Sequence, residues 1–187
     1  MNLPNKLTVI RICMVPVFAV FAAMAARNHG AAVYLLAGAV FALASLTDFL
    51  DGRIARREGL VTNFGKFADP LADKILTTAA FLYLLREGVC DPFVLVLILF
   101  REFAVSGLRM LAAGSRDKLV IPANIWGKLK TVGMMLTICL FYFGSAFFHA
   151  DEWFRTAMSA LCWACAAVTV FSGVTYFKAS LRFLSDL

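Results

Sequence analysis

The chain has 187 residues, of which 61% are hydrophobic and 16% charged. Soluble domains sit nearer half apolar and a quarter charged, so this composition points away from an ordinary water-soluble protein. The formal charge of +6 is scattered between apolar runs. That pattern argues against nucleic acid as a partner and for membrane topology and anionic lipid headgroups.

A helical span needs about 20 mainly apolar residues to cross a hydrocarbon layer about 30 Å thick. Taken in chain order, apolar runs and their breakers predict six spans and an all-α, polytopic fold. The segment 1–7, Met-Asn-Leu-Pro-Asn-Lys-Leu, is expected along the interface. The first span covers Thr8 to Ala26 and ends at Arg27-Asn28-His29-Gly30. No charged-then-apolar-then-small cleavage pattern precedes it, so it is read as a span that stays. The second runs from Ala31 to Arg56, and the third from Gly65 to Leu85, closed by Arg86-Glu87-Gly88. The fourth runs from Pro92 to Ala113, the fifth from Ala123 to Phe148 and the sixth from Trp153 to Leu181. Residues 1–187 are thus expected to form a single transmembrane catalytic domain. Cys162 and Cys165 have C-x-x-C spacing within the sixth run, with no second pair, and are read as small buried apolar residues.

Charge sets the expected orientation. Lys6, Arg11, Arg53, Arg56, Arg57, Lys66, Arg109, Arg116, Lys118, Lys128, Lys130, Lys178 and Arg182 fall on one side. Arg27, Arg86 and Arg155 fall on the other, beside Glu87, Asp91, Asp151 and Glu152. The positive-inside rule then makes both termini cytoplasmic. His29 and His149 lie on the opposite side and lack ligand-spaced partners in the sequence.

Chemistry concentrates between Thr47 and Lys74. Asp48 and Asp51 are three apart and share a helix face with Gly52, Ala55 and Arg56. Asp69 and Asp73 are four apart and share another. A turn near Glu58-Gly59 brings the two pairs together at the cytoplasmic ends of two spans. Four carboxylates beside a low-dielectric layer are costly unless neutralised, by protonation or by cations. Oxygen ligand sets suit Mg²⁺ or Mn²⁺, and several carboxylates make a two-metal site natural. Two metals suit phosphoryl transfer by holding the entering and leaving oxygens. Gly52 and Ala55 leave room against the helix, and Arg56 suits a bidentate phosphate contact.

At these residues the sequence resembles the CDP-alcohol phosphatidyltransferase family. The family pattern D-x-x-D-G-x-x-A-R-x(8)-G-x-x-x-D-x-x-x-D is matched at Asp48, Asp51, Gly52, Ala55, Arg56, Gly65, Asp69 and Asp73. The six-span layout is similar as well. The resemblance implies that a CDP-linked lipid binds with its diphosphate on two divalent cations, Mg²⁺ or Mn²⁺. An alcohol then attacks the phosphorus nearer the lipid and CMP leaves. It implies that Asp48, Asp51 and Asp69 hold metal, and that Asp73 holds metal and also serves as the general base. Gly52, Ala55 and Arg56 resemble the nucleotide and diphosphate contacts. Asn5, Thr8 and Thr62 sit where family members also touch the CDP group. A homodimer in the cytoplasmic (inner) membrane, with the active site facing the cytoplasm, is the assembly the resemblance implies.

The acceptor is written elsewhere. Arg101-Glu102-Phe103 to Arg109, and Gly127-Lys128-Leu129-Lys130-Thr131, place cations level with the aspartates and suit an acceptor that carries a phosphate. Arg109 and Lys128 are the expected main phosphate contacts, with Lys130 and Arg101 as lesser ones. Positive-inside anchoring is the alternative for Lys128 and Lys130, and a structural intramembrane ion pair for Arg101 and Glu102. The R-E-F-x-V-S-G-L-R, G-K-x-K-T and N-L-P-N-K-L-T-x-x-R segments resemble the phosphatidylglycerophosphate synthase branch of the family. That branch implies CDP-diacylglycerol as donor and glycerol 3-phosphate as acceptor. A sister transferase using phosphatidylglycerol or inositol phosphate is the nearest alternative. A divalent-cation transporter is a more distant one, because transport sites lie nearer the midplane on broken helices.

Overall fold

The computed structural model describes residues 3–28, 30–58, 63–114 and 125–184, with the side chains of 3–5, 7, 48–58, 63–70, 73, 110–114 and 179–184 outside that description. Every regular element among the described residues is a helix. In order these are α1 (Leu3–Asn28), α2 (Ala31–Glu58), α3 (Asn63–Arg86), α4 (Pro92–Gly114), α5 (Ile125–Phe148) and α6 (Glu152–Leu184). Each predicted apolar run falls on one helix. Residues 3–7 are already helical and continue into the first run. Pro4 is tolerated there because a first-turn residue has no intrahelical partner for its amide.

Local chemistry sets the helix ends. α3 closes with Gly88 at φ 72°. The Val89 amide then reaches back to the Leu84 carbonyl at 3.0 Å, and the Gly88 amide to Leu85 at 2.9 Å. This left-handed C-terminal cap is open to glycine at little cost. α4 starts at once afterwards. Asp91 accepts the Phe93 amide at 2.7 Å through its side chain, and Pro92 occupies the first helical position.

Among the described residues, three helices are long and apolar enough to cross a bilayer, over Thr8–Asn28, Ile125–Phe148 and Glu152–Lys178. Within the same residues, α2 keeps a shorter apolar stretch, Ala31–Thr47. α3 and α4 carry charges among their apolar residues, Lys74 on α3 and Arg101, Glu102 and Arg109 on α4. Large apolar side chains lie open on the outside, among them Phe100, Ile125 and Phe147, each more than 70% exposed. Such a surface belongs in lipid, and the chain is a helical membrane protein.

α1 packs on α2 and α3, α5 joins α2 to α6, and α6 carries α4. The core between them is aromatic. Phe18 meets Phe41 and Tyr142 at centroid distances of 5.8 and 5.4 Å. Buried Ala22, Ala25, Ala37, Ala44 and Ala80 let the backbones approach around those rings.

The α1–α2, α3–α4 and α5–α6 turns gather at one end of the bundle, around Glu87. Its carboxylate accepts the Tyr34 hydroxyl at 3.0 Å and meets His149 Nε2 at 3.1 Å. Its carbonyl accepts from Arg155 at 2.7 Å. Four helices are therefore tied at the end opposite the α2–α3 connection. His149, with no partner legible by spacing, finds one here across 62 residues; His29 lies outside the described residues.

At the same end, α5 and α6 approach through Gly144. A Cβ placed there would lie 2.5 Å from Phe154 Cε2. Gly144→Ala is therefore expected to destabilise the bundle by about 1–3 kcal/mol, as overpacking does. Equilibrium unfolding in detergent would test this, and an unchanged midpoint would contradict it.

Candidate active site

Two halves of a site converge at the other end, where α2 runs into α3 and α4 into α5. The first half is the aspartate motif. Asp48 and Asp51 lie in the last part of α2, and Asp69 and Asp73 in the first part of α3. Both stretches are helical, as the three- and four-residue spacings require. The side chains of Asp48, Asp51, Asp69 and Asp73 lie outside the described residues, as do those of Asn5, Gly52, Ala55 and Arg56, and the whole of Thr62. Among the described residues, no three His, Cys, Asp or Glu side chains gather in a metal-binding group. Thr8, from the other side of this half, is buried in α1.

The second half is a set of charged and hydroxyl groups on α3 to α6. Lys74, the residue after Asp73, reaches across from α3 and donates to Ser106 Oγ on α4. Ser106 in turn donates to the Glu102 carbonyl at 2.7 Å, one turn back. The α3 turn that carries Asp73 is thereby held level with Ser106 on α4.

One turn deeper, Glu102 takes two cations on a single oxygen. Arg101 meets Glu102 Oε1 at 3.3 Å, and Lys130 of α5 meets the same atom. The guanidinium of Arg101 also donates to Ser172 Oγ on α6 at 2.6 Å. Arg101 and Lys130 are both buried, at 9% and 6% exposure. A buried cation near a hydrocarbon layer is tolerable only when its charge is compensated, and here one carboxylate serves two. Glycine makes the arrangement fit. A Cβ at Gly173 would come within 3.1 Å of Arg101 Cγ, so α6 is bare where the arginine stem crosses it.

Arg109 and Lys128 sit nearer the surface, and both are exposed. Arg109 is nonetheless oriented. Its Nε donates to the Tyr176 hydroxyl at 2.8 Å, and the guanidinium carbon lies 5.0 Å from the ring centroid. The four cations predicted around an acceptor phosphate thus fall into two layers. Arg101 and Lys130 form a buried pair on Glu102, while Arg109 and Lys128 form an outer, accessible pair. Ser172 and Tyr176 carry this geometry without a sequence signal of their own, because single hydroxyls on an apolar helix do not stand out, while Lys74 and Ser106 lie within the segments already singled out. Glu102 did have a signal, a carboxylate inside an apolar run.

The described groups can bind an anion and fix its orientation. Lys74, next to Asp73 in the chain, ties the helix that bears Asp69 and Asp73 to the helix that bears Arg101 and Arg109. Ser172→Ala is expected to cost about 1–3 kcal/mol of stability, since it removes a partner from a buried guanidinium. Ser172→Thr should keep most of it. Denaturant titration of both variants checks this, and equal losses would rule out the hydroxyl as the cause.

The model of the CDP-alcohol phosphatidyltransferase family matches residues 1–171. A CDP-diacylglycerol–glycerol-3-phosphate 3-phosphatidyltransferase of Bacillus subtilis is 39% identical, over 95% of this chain and 94% of its own length. One of the same name from Rickettsia bellii is 36% identical, with 97% of each chain covered. A probable phosphatidylglycerophosphate synthase of Mycobacterium tuberculosis is 41% identical, over 97% of this chain and 82% of that one.

Proposed function

We propose that this chain, which belongs to the CDP-alcohol phosphatidyltransferase family, transfers the phosphatidyl group of CDP-diacylglycerol to glycerol 3-phosphate, releasing CMP. The observation that carries this reading is one of position. A fully matched aspartate motif on α2 and α3 stands beside a cation-rich cluster on α4, α5 and α6, joined to it through Lys74 and Ser106. The relatives' names supply the two substrates, and the two halves of the site suit them separately.

The donor set fits divalent cations. Asp48, Asp51, Asp69 and Asp73 offer carboxylate oxygens alone, the ligand type that Mg²⁺ and Mn²⁺ prefer. When bound, two such ions would offset the diphosphate charge and acidify the acceptor hydroxyl. The residues do the rest. Arg56 takes the diphosphate, with Gly52 and Ala55 leaving space for it, and Asn5, Thr8 and Thr62 line the CDP end. Arg109 and Lys128, with Arg101 and Lys130 behind them, hold the acceptor's phosphate. Its free hydroxyl then faces the reacting phosphorus. Asp73 removes the hydroxyl proton as the oxygen bonds to the phosphorus nearer the lipid. The bond from that phosphorus to the bridging oxygen breaks, and the electron pair leaves with CMP. Orienting both reactants in this way is itself a large part of catalysis.

Six spans, with both termini and the aspartate end at the cytoplasmic face of the inner membrane, follow from the charge bias between the two ends. A homodimer completes the proposed assembly.

The purified protein in mixed micelles, supplied with CDP-diacylglycerol and Mg²⁺ or Mn²⁺, should form phosphatidylglycerophosphate from glycerol 3-phosphate. Chelation with EDTA should stop it. Product from inositol phosphate, serine or phosphatidylglycerol alone would overturn the choice of acceptor. Asp73→Asn should lower kcat by at least about a hundredfold, the usual scale of general-base loss, while CDP-lipid binding is largely kept. Near-normal turnover in that variant would remove Asp73 from the role of base.

A further inference from the structure

We infer that Glu102 is a positioning residue for the acceptor phosphate: it holds Lys130 and Arg101 as a fixed pair of cations across the cleft between α4 and α5. The inference rests on the proposed use of glycerol 3-phosphate and adds to it a role for an anion inside an anion-binding site.

Three observations carry it. First, α4 and α5 do not pack on each other among the described residues; both pack on α6, and both touch α3. The space between them, bordered by α6 and α3, is crossed by the bond from Lys130 of α5 to Glu102 of α4. Second, Glu102 Oε1 meets both Arg101 and Lys130, so one carboxylate oxygen sets the position of two buried cations from two helices. Third, Arg101 has a spare donor. Its two terminal nitrogens are used on Glu102 and Ser172, while its buried Nε has no hydrogen-bond partner among the described residues. A buried N–H of a cation left in this state is costly, and an anionic oxygen entering the cleft would satisfy it.

Without the carboxylate the pair cannot stay as it is. Two buried cations side by side repel, and a lysine stem is long enough to swing its ammonium toward the headgroups. Lys130 would leave the cleft, and Arg101 would keep only Ser172 as an anchor. The aspartate motif on α2 and α3 would not be altered, because the link from that side, Lys74 to Ser106, does not use the Glu102 carboxylate. Loss of Glu102 should therefore weaken one substrate and spare the other.

The test is a steady-state comparison of the wild type, Glu102→Asp and Glu102→Gln in mixed micelles, varying glycerol 3-phosphate and CDP-diacylglycerol separately. Glu102→Gln should raise KM for glycerol 3-phosphate about tenfold or more, with KM for CDP-diacylglycerol within about twofold, the signature of a lost ground-state contact on one substrate. Glu102→Asp, which keeps the charge on a shorter arm, should fall between them, about two- to fivefold up. If Glu102→Gln does not fold, the aspartate variant carries the test alone. Unchanged KM for glycerol 3-phosphate in the folded variants overturns the inference. So does a parallel rise in both KM values, which marks a packing role. A wild type that is inactive with glycerol 3-phosphate but active with another acceptor fails the underlying reading, whatever the variants do, and the inference falls with it.

Discussion

The bond between Lys130 and Glu102 joins two helices that do not otherwise pack on each other among the described residues. Much of the site's architecture depends on that contact. Glu102 is fixed on α4, whose turn at Ser106 is tied by Lys74 to the helix bearing Asp69 and Asp73. Lys130 is fixed on α5, which packs on α2, the helix bearing Asp48 and Asp51. The cation pair and the aspartate motif are thus held in one frame by two routes. A shift of α4 relative to α5 would move the acceptor's cations away from the reacting groups, and misplacement on that scale costs an enzyme heavily.

The opposite end of the bundle shows how rigidity is supplied. There Glu87 gathers Tyr34, His149 and Arg155 from three other helices. The end opposite the aspartates is thereby fixed. Large aromatic rings fill the middle, and small residues let the helices close around them. The same physics governs both ends. Charge in a low-dielectric layer must find a partner, and Glu87 and Glu102 each become a meeting point between helices.

Much of this was legible in the sequence. Each apolar run fell on a helix, because a backbone in lipid has no other way to satisfy its own hydrogen bonds along a single segment. The aspartate spacings gave helix faces and were followed by helices. Other features were not legible. Among the described residues the span criterion is met by α1, α5 and α6 alone, and a count of apolar runs cannot tell a plain span from one that carries a site. Arg101 and Lys130 are 29 residues apart, and no periodicity relates them to each other through Glu102. Ser172 and Tyr176 are further still, on α6, and their hydroxyls gain meaning only when α6 lies under α4.

The layering of the cations has a chemical consequence. Arg109 and Lys128 are exposed and can meet an anion arriving from water. Arg101 and Lys130 are buried and share the Glu102 carboxylate. On the proposed reading, an anion would pass from well-hydrated cations to desolvated ones, and each interaction would strengthen as the dielectric falls. A carboxylate shared by the inner cations would temper their hold on a phosphate, which suits a site whose product keeps the acceptor's phosphate and must still leave.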